Sequence, residues 1–127
     1  MKYIIFSLLI LLSFTMCAQK QDKIVGVWTV SNEYNKGVYE IVESEGKFYG
    51  KIHKYSENGK EYLGHNKEED YFLTDVELTN GKYINGIIHI DEKTTYRVEF
   101  SFDSDDVLKV VMTINNEPYT ELWTRKK

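Results

Sequence analysis

The chain has 127 residues, a formal net charge of −4, one cysteine and one proline. This length is typical of one domain with one hydrophobic core. The acidic balance argues against nucleic acid as a partner, because binding to a phosphate backbone requires a basic face. A single cysteine excludes a disulfide within the chain and a zinc site built on several thiolates.

Residues 1–18 are predicted to form a signal segment. Lys2 gives it a positive start, and residues 3–14 are apolar apart from small serines. A membrane-spanning helix needs roughly 20 residues, so this stretch has the length of a secretory apolar region instead. The alternative is a first core helix, but the later chain has no helical apolar face to pack against it. We therefore expect an exported protein, periplasmic or secreted, whose domain comprises residues 19–127.

The processing site has two interpretations. Ala18 is a small residue after which a signal peptidase can cut, although Met16 is larger than the residue usual two places earlier. Alternatively, Cys17 is acylated and the chain is an outer-membrane lipoprotein, although Met16 and Phe14 do not match the residues usual before such a cysteine. We favour release after Ala18. Lipidation at Cys17 would be the only membrane attachment.

Period-two alternation between turn residues dominates the rest of the chain and predicts β-strands. Asn58-Gly59 and Asn80-Gly81 favour type I′ hairpins because both residues tolerate positive φ. Gly86, inside a strand, indicates a bulge or tight bend. Residues 60–70 are the longest polar stretch and are expected to form a loop. The predicted strands are 24–30, 38–42, 47–55, 71–78, 83–90, 94–102, 107–114 and 119–125.

These strands predict an all-β domain, a single antiparallel up-and-down barrel of about eight strands. Short strands joined by short turns favour such a meander, and eight strands can close without leaving an edge. The alternation also predicts which side chains face the interior: Phe48, Gly50 and Ile52, then Phe72, Val76 and Leu78, then Tyr96, Val98, Phe100 and Phe102.

The first and last predicted strands carry Gly26-Val27-Trp28 and Trp123-Thr124-Arg125. This pairing resembles lipocalin-like (calycin) barrels, in which a G-x-W near the start packs against an arginine of the last strand. A guanidinium over a tryptophan can fill and close one end of a barrel. The resemblance implies a structural plug formed by Gly26, Trp28, Trp123 and Arg125.

A wider pattern covers nearly all of residues 19–127. It resembles the bacterial domain-of-unknown-function family 2147, which comprises small envelope proteins. The resemblance implies an exported β-barrel-like domain and implies no reaction. The matching pieces are GVWTV, VYEIVESEGKFYGKI, NGKYINGIIHI with TTYRVEF, VLKV and the terminal LWTR.

Two carboxylates are the main polar candidates. Glu40 lies on the same strand face as Val38 and Val42, and Glu121 lies on the same face as Trp123. Both carboxylates are therefore expected to point into the barrel. A buried carboxylate requires a partner, such as Arg125 or a tyrosine hydroxyl. The alternative is that a bulge shifts the register and exposes both. The residues predicted to bind a ligand are Tyr96, Phe48, Phe100, Glu40 and Glu121.

Catalytic and metal motifs are not apparent in the sequence. His53, His65 and His89 have no metal-ligand spacing, and the acidic stretches 68–70 and 103–106 lack a calcium-loop register. No nucleophile motif occurs. We therefore predict no catalytic residue, no metal and no cofactor, and a protein that is not an enzyme.

The function predicted from these observations is non-catalytic binding of a small apolar or amphipathic ligand at the open end, away from the plug. One alternative is an envelope-associated structural or interaction domain, whose tyrosine-rich outer face and loops bind another protein or a glycan; lipidation of Cys17 would anchor it to the membrane. The other alternative is an enzyme built around Glu40, Tyr96 and Glu121.

Overall fold

The computed structural model describes residues 22–63, 71–91 and 93–127, with the side chains of residues 62 and 63 excepted. These residues form nine antiparallel strands, and they include no helix that is long and apolar enough to cross a membrane. The strands are β1 (Gly26–Ser31), β2 (Asn35–Ser44), β3 (Lys47–Glu57), β4 (Lys60–Leu63), β5 (Leu73–Thr79), β6 (Lys82–His89), β7 (Thr95–Ser104), β8 (Val107–Ile114) and β9 (Glu117–Arg125).

Eight of the strands close into a barrel, in the order β2-β1-β9-β8-β7-β6-β5-β3, with β3 pairing back to β2. Each barrel strand pairs with the strands that precede and follow it in the chain, β4 being skipped, and the first strand pairs with the last. This confirms the predicted up-and-down barrel. The expected loop over residues 60–70 was partly wrong, because its start forms β4, which pairs with the end of β3.

The hairpin turns explain why the chain reverses where it does. Asn58-Gly59 has φ values of 51° and 82°, and Asn80-Gly81 has 51° and 80°, which confirms the positive φ expected at both pairs. Glu45-Gly46 and Asn115-Asn116 have positive φ as well. Because successive turns of an up-and-down barrel lie at alternate ends, Glu45-Gly46 and Asn80-Gly81 share one end. Asn58-Gly59 and Asn115-Asn116 lie at the other.

Bulges change which side chains face the interior. The β6–β7 register shifts between Tyr83 and Gly86, which confirms the bend expected at Gly86. A Cβ on Gly86 would lie 2.8 Å from Val98 Cγ1, so a larger residue does not fit there.

A second irregularity lies in β5. The β3–β5 register shifts, and Asp75 has a φ of 64°, so Leu73 and Val76 both face the interior. Leu78 keeps the inward orientation of Val76 and pairs with buried Tyr83, as expected, but it is 46% exposed because it lies at the end of the barrel, two residues before the turn at Asn80-Gly81.

Aromatic rings fill the interior. Near the turns Glu45-Gly46 and Asn80-Gly81, the Phe48 and Tyr83 ring centroids are 5.5 Å apart. Tyr83 and Phe102 are 6.1 Å apart, and Phe102 is 6.1 Å from Trp28. The closed half of the barrel is therefore packed with aromatic side chains.

Trp28 and Arg125 seal this end, which is called the closed end below. Arg125 Cζ lies 4.3 Å from the centroid of the Trp28 ring, and Trp28 is fully buried. Arg125 Nη2 donates to the Lys23 carbonyl at 2.7 Å, and Arg125 Nε is 3.3 Å from Asp106 Oδ1. A Cβ on Gly26 would lie 3.0 Å from Arg125 Nη1, so glycine admits the guanidinium.

Trp123, the other tryptophan of the expected plug, lies deeper in the barrel. Its ring packs against Tyr39, at a centroid separation of 4.7 Å, and edge-on against Phe100, at 5.4 Å. The reason is strand geometry, since Trp123 lies two residues before Arg125 on β9 and therefore one inward position further from the closed end.

We expect Arg125→Met to lower the free energy of unfolding by about 2 kcal/mol, because the variant loses the cation–π contact and the charged hydrogen bonds. Urea denaturation measures this. The matched control is Arg97→Met on the exposed outer face of β7, which should change the value by less than about 0.5 kcal/mol. Equal losses in the two variants would show that the plug does not stabilise the barrel.

Candidate binding site at the open end

The end opposite the plug, called the open end, presents a group of partly exposed inward-facing side chains. We call this group the mouth, and it consists of Asn35, Tyr55, Phe72 and Glu121. Tyr39 and Trp123 are buried beneath it and form its floor. The Phe72 ring is 4.8 Å from Tyr39, so the mouth and its floor are continuous.

Glu121 is the acidic group of the mouth. It lies on β9 and shares an inward face with Trp123, whose Nε1 donates a 2.7 Å hydrogen bond to Glu121 Oε1. The tryptophan thereby satisfies its own N–H and fixes the position of the carboxylate. Among the described residues, no lysine, arginine or histidine forms an ion pair with Glu121.

Glu40 does not join Glu121, so the expectation that it points into the barrel was wrong. Its neighbours Tyr39 and Ile41 are the buried residues of β2, which places Glu40 on the outer face. There Glu40 Oε1 is 2.8 Å from His53 Nε2. The error came from assigning Val38 and Val42 to the interior, whereas both valines lie half-buried on the outside.

Two tyrosines meet at the mouth. Burial raises the pKa of the Tyr39 hydroxyl, and the charge of Glu121 and the nearby Tyr55 raise it further. Burial also raises the pKa of Tyr55, whereas a hydrogen bond with the Asn35 side chain lowers it. Both hydroxyls therefore stay protonated at neutral pH and act as neutral polar groups beside the carboxylate.

Gly37 determines where the Tyr39 ring lies. A Cβ on Gly37 would approach Tyr39 Oη to 2.5 Å, so the ring passes over the glycine two residues earlier on β2. The absence of a side chain at Gly37 thus lets the ring form the floor. This glycine, two positions before an aromatic residue, is the sequence signal that could have identified Tyr39.

The other predicted ligand-binding residues are dispersed. Phe48 is buried near the closed end against Tyr83, and Phe100 is buried below the floor against Trp123. Tyr96 is partly exposed at the open-end start of β7, on the inward register of Val98. Only Tyr96 and Glu121 of the predicted set are therefore accessible from the open end. Tyr39, Tyr55, Asn35 and Phe72 were absent from it.

A shallow groove of about 510 Å³ lies outside the barrel and is separate from the mouth. It runs over β1 to β4 and includes Lys36, Lys54 and Glu61. Lys54 Nζ is 3.0 Å from Glu61 Oε1, and both side chains are more than half exposed. An exposed pair of this kind contributes little energy.

The histidines and acidic turns do not converge. His53 Nε2 hydrogen-bonds with Glu40 Oε1, and His89 Nε2 is 2.9 Å from Thr74 Oγ1. His65 and residues 68–70 lie outside the described residues. Within the described ranges, no group of three His, Cys, Asp or Glu side chains is arranged to hold a metal ion.

A solved structure resembles this arrangement. Protein HP1028 from Helicobacter pylori, described as belonging to the lipocalin family, superposes with a TM-score of 0.63 over 82% of this chain and 83% of its own. The sequence identity is 17%. The fold is a lipocalin-like barrel. No family model matches the chain and no curated protein matches it, so the resemblance to family 2147 stays a prediction.

We expect Tyr39 and Tyr83 to ionise at a higher pH than an unperturbed tyrosine. Burial raises the pKa of Tyr83, as does its 2.6 Å hydrogen bond to Asp22 Oδ1. Because the raised pKa favours the protonated folded form, their stabilising contribution is complete below about pH 10 and is lost as pH rises further. Tyrosinate absorbance during alkaline titration measures this.

The matched variant is Tyr39→Phe, which should remove one late-ionising group while leaving the exposed groups unchanged. If every tyrosine ionised in one step while the protein remained folded, the buried environment of Tyr39 and Tyr83 would be contradicted.

Proposed function

We propose that the protein is an exported, non-catalytic module that binds a small apolar or amphipathic ligand at its open end. The observation that carries this proposal is the mouth, where Phe72, Tyr55 and Glu121 remain partly exposed above an aromatic floor. An apolar surface with a few polar groups at the open end of a barrel is the usual character of a small-molecule site.

The packed interior limits how deep a ligand reaches. Tyr39 and Trp123 lie with their ring centroids 4.7 Å apart, and Phe100 packs against Trp123 from below. The ligand therefore lies on these rings rather than beneath them. A small molecule, or the end of an alkyl chain, fits this depth.

The geometry supports a binding function over the enzyme alternative. That alternative required Glu40, Tyr96 and Glu121 to converge, but Glu40 lies on the outer face with His53. The remaining carboxylate accepts from an indole N–H and has no second carboxylate or histidine paired with it in the described part of the chain.

We expect Tyr55→Leu to weaken the binding of the neutral apolar probe N-phenyl-1-naphthylamine about three- to tenfold, because the mouth loses a polar-tipped ring. Probe fluorescence in a titration measures this. The control is Tyr49→Leu on the outer face of the same strand, where the Tyr49 ring packs against Tyr71 at 4.9 Å. That variant should bind like the parent. Equal weakening in both variants, or no saturable binding by the parent, would contradict the proposal.

Export is part of the proposal, with release after Ala18. Asp22 and Lys23, the first described residues, are held at the closed end: Tyr83 Oη donates to Asp22 Oδ1, and Arg125 Nη2 donates to the Lys23 carbonyl. The segment from Cys17 to Asp22 can span at most about 18 Å. An acyl group on Cys17 would thus hold the closed end near a membrane and leave the mouth facing away.

Mass spectrometry of the protein purified from its own host tests the processing site. We expect a mature chain that begins at Gln19. A diacyl- or triacyl-modified Cys17 would contradict release and support the envelope-anchored alternative.

A further inference from the structure

We propose that the ligand of the mouth carries a cationic amine or quaternary ammonium group, which is bound by the Glu121 carboxylate over the rings of the floor. This inference rests on the proposed function and names the chemical class of its ligand.

Glu121 is the first observation. The carboxylate is partly buried on the inward face of β9 and receives one hydrogen bond, from Trp123 Nε1 at 2.7 Å. A carboxylate offers about four lone-pair sites, so most of its accepting capacity is free for a ligand. Partial burial of a charge without a counter-ion is costly. A cationic group at the mouth would remove that cost.

Asn35 supplies a second, independent acceptor. Its Oδ1 atom is buried, and no group in the described part of the chain donates a hydrogen bond to it. Asn35 lies on the inward parity of β2, together with Gly37 and Tyr39, and its side chain hydrogen-bonds with Tyr55. An unpaired amide oxygen at the mouth can accept a hydrogen bond from an amine, and its partial negative charge attracts a quaternary ammonium group as well.

The rings of the floor fit the same ligand. Tyr39 lies 4.8 Å from Phe72 and 4.7 Å from Trp123, which gives three aromatic groups beside the carboxylate. The faces of aromatic rings attract cations, most strongly for tryptophan, and carboxylate-flanked aromatic groups are suited to ammonium ligands. An anionic head group would instead be repelled by the negative charge of Glu121.

A second carboxylate lies near the mouth. Glu57, at the open-end terminus of β3, adds negative charge beside Tyr55 and raises its pKa. On β2 and β3, Lys36 and Lys54 face the outer groove, and Lys54 pairs with Glu61. The mouth therefore favours a cation over an anion.

Calorimetric titration with three amphiphiles tests this inference. Decyltrimethylammonium, decanol and decyl sulfate share one alkyl chain and differ in head-group charge. Below their micellar concentrations, we expect the ammonium compound to bind at least about tenfold more tightly than decanol, with decyl sulfate the weakest.

Glu121→Gln is the decisive variant. Its amide oxygen can still accept from Trp123 Nε1, so the barrel should fold, and circular dichroism checks this. We expect the ammonium preference to disappear while decanol affinity stays within about threefold of the parent. Glu40→Gln is the matched control, a carboxylate on the outer face, and should retain the preference.

The outcomes separate the two proposals. If the three amphiphiles bind equally, or if Glu121→Gln keeps the ammonium preference, the cation inference is overturned while the binding function stands. If none of the three binds, the proposed function fails and this inference fails with it.

Discussion

The stacking of Arg125 on Trp28 is the constraint on which the rest of the structure depends. These two residues join the last strand to the first, since they are paired in the β1–β9 register. The same guanidinium binds the Lys23 carbonyl and Asp106, so it closes the barrel and seals one end. With that end sealed by the Trp28–Arg125 pair, the partly exposed inward-facing residues of the mouth lie at the opposite end. The position of the candidate site follows from this asymmetry.

Strand β9 connects the plug to the mouth. Its inward-facing residues are Glu121, Trp123 and Arg125. They place a carboxylate near the open end, an indole below it and a guanidinium at the closed end. The tryptophan separates the two charges and binds the carboxylate through Nε1. The positive group is satisfied by carbonyls and Asp106 at the closed end, whereas the negative group faces the mouth. The charge of the site therefore arises from the same strand that closes the fold.

The sequence predicted the architecture well because alternation and turn chemistry are local signals. Asn58-Gly59 was identified because its turn needs positive φ, and the bend at Gly86 because a glycine inside a strand indicates close packing, here against Val98 and Val76. Side-chain orientation was predicted less well. On β2 the valines suggested one parity, but Tyr39 and Ile41 are the buried residues, which turned Glu40 outward. On β5 the bulge at Asp75 brings both Leu73 and Val76 to the interior, and period-two alternation does not predict such a change of register.

The two tryptophans report on opposite ends of the barrel, which makes the central claim directly measurable. The Trp28 indole N–H is bound to the Ile24 carbonyl at the closed end, and that of Trp123 to Glu121 beneath the mouth. The NMR signals of these two indole N–H groups can be followed during a titration with decyltrimethylammonium. Binding at the open end predicts a saturable shift of the Trp123 indole signal with the Trp28 signal unchanged. A shift of Trp28 alone, or no shift of Trp123, would contradict it.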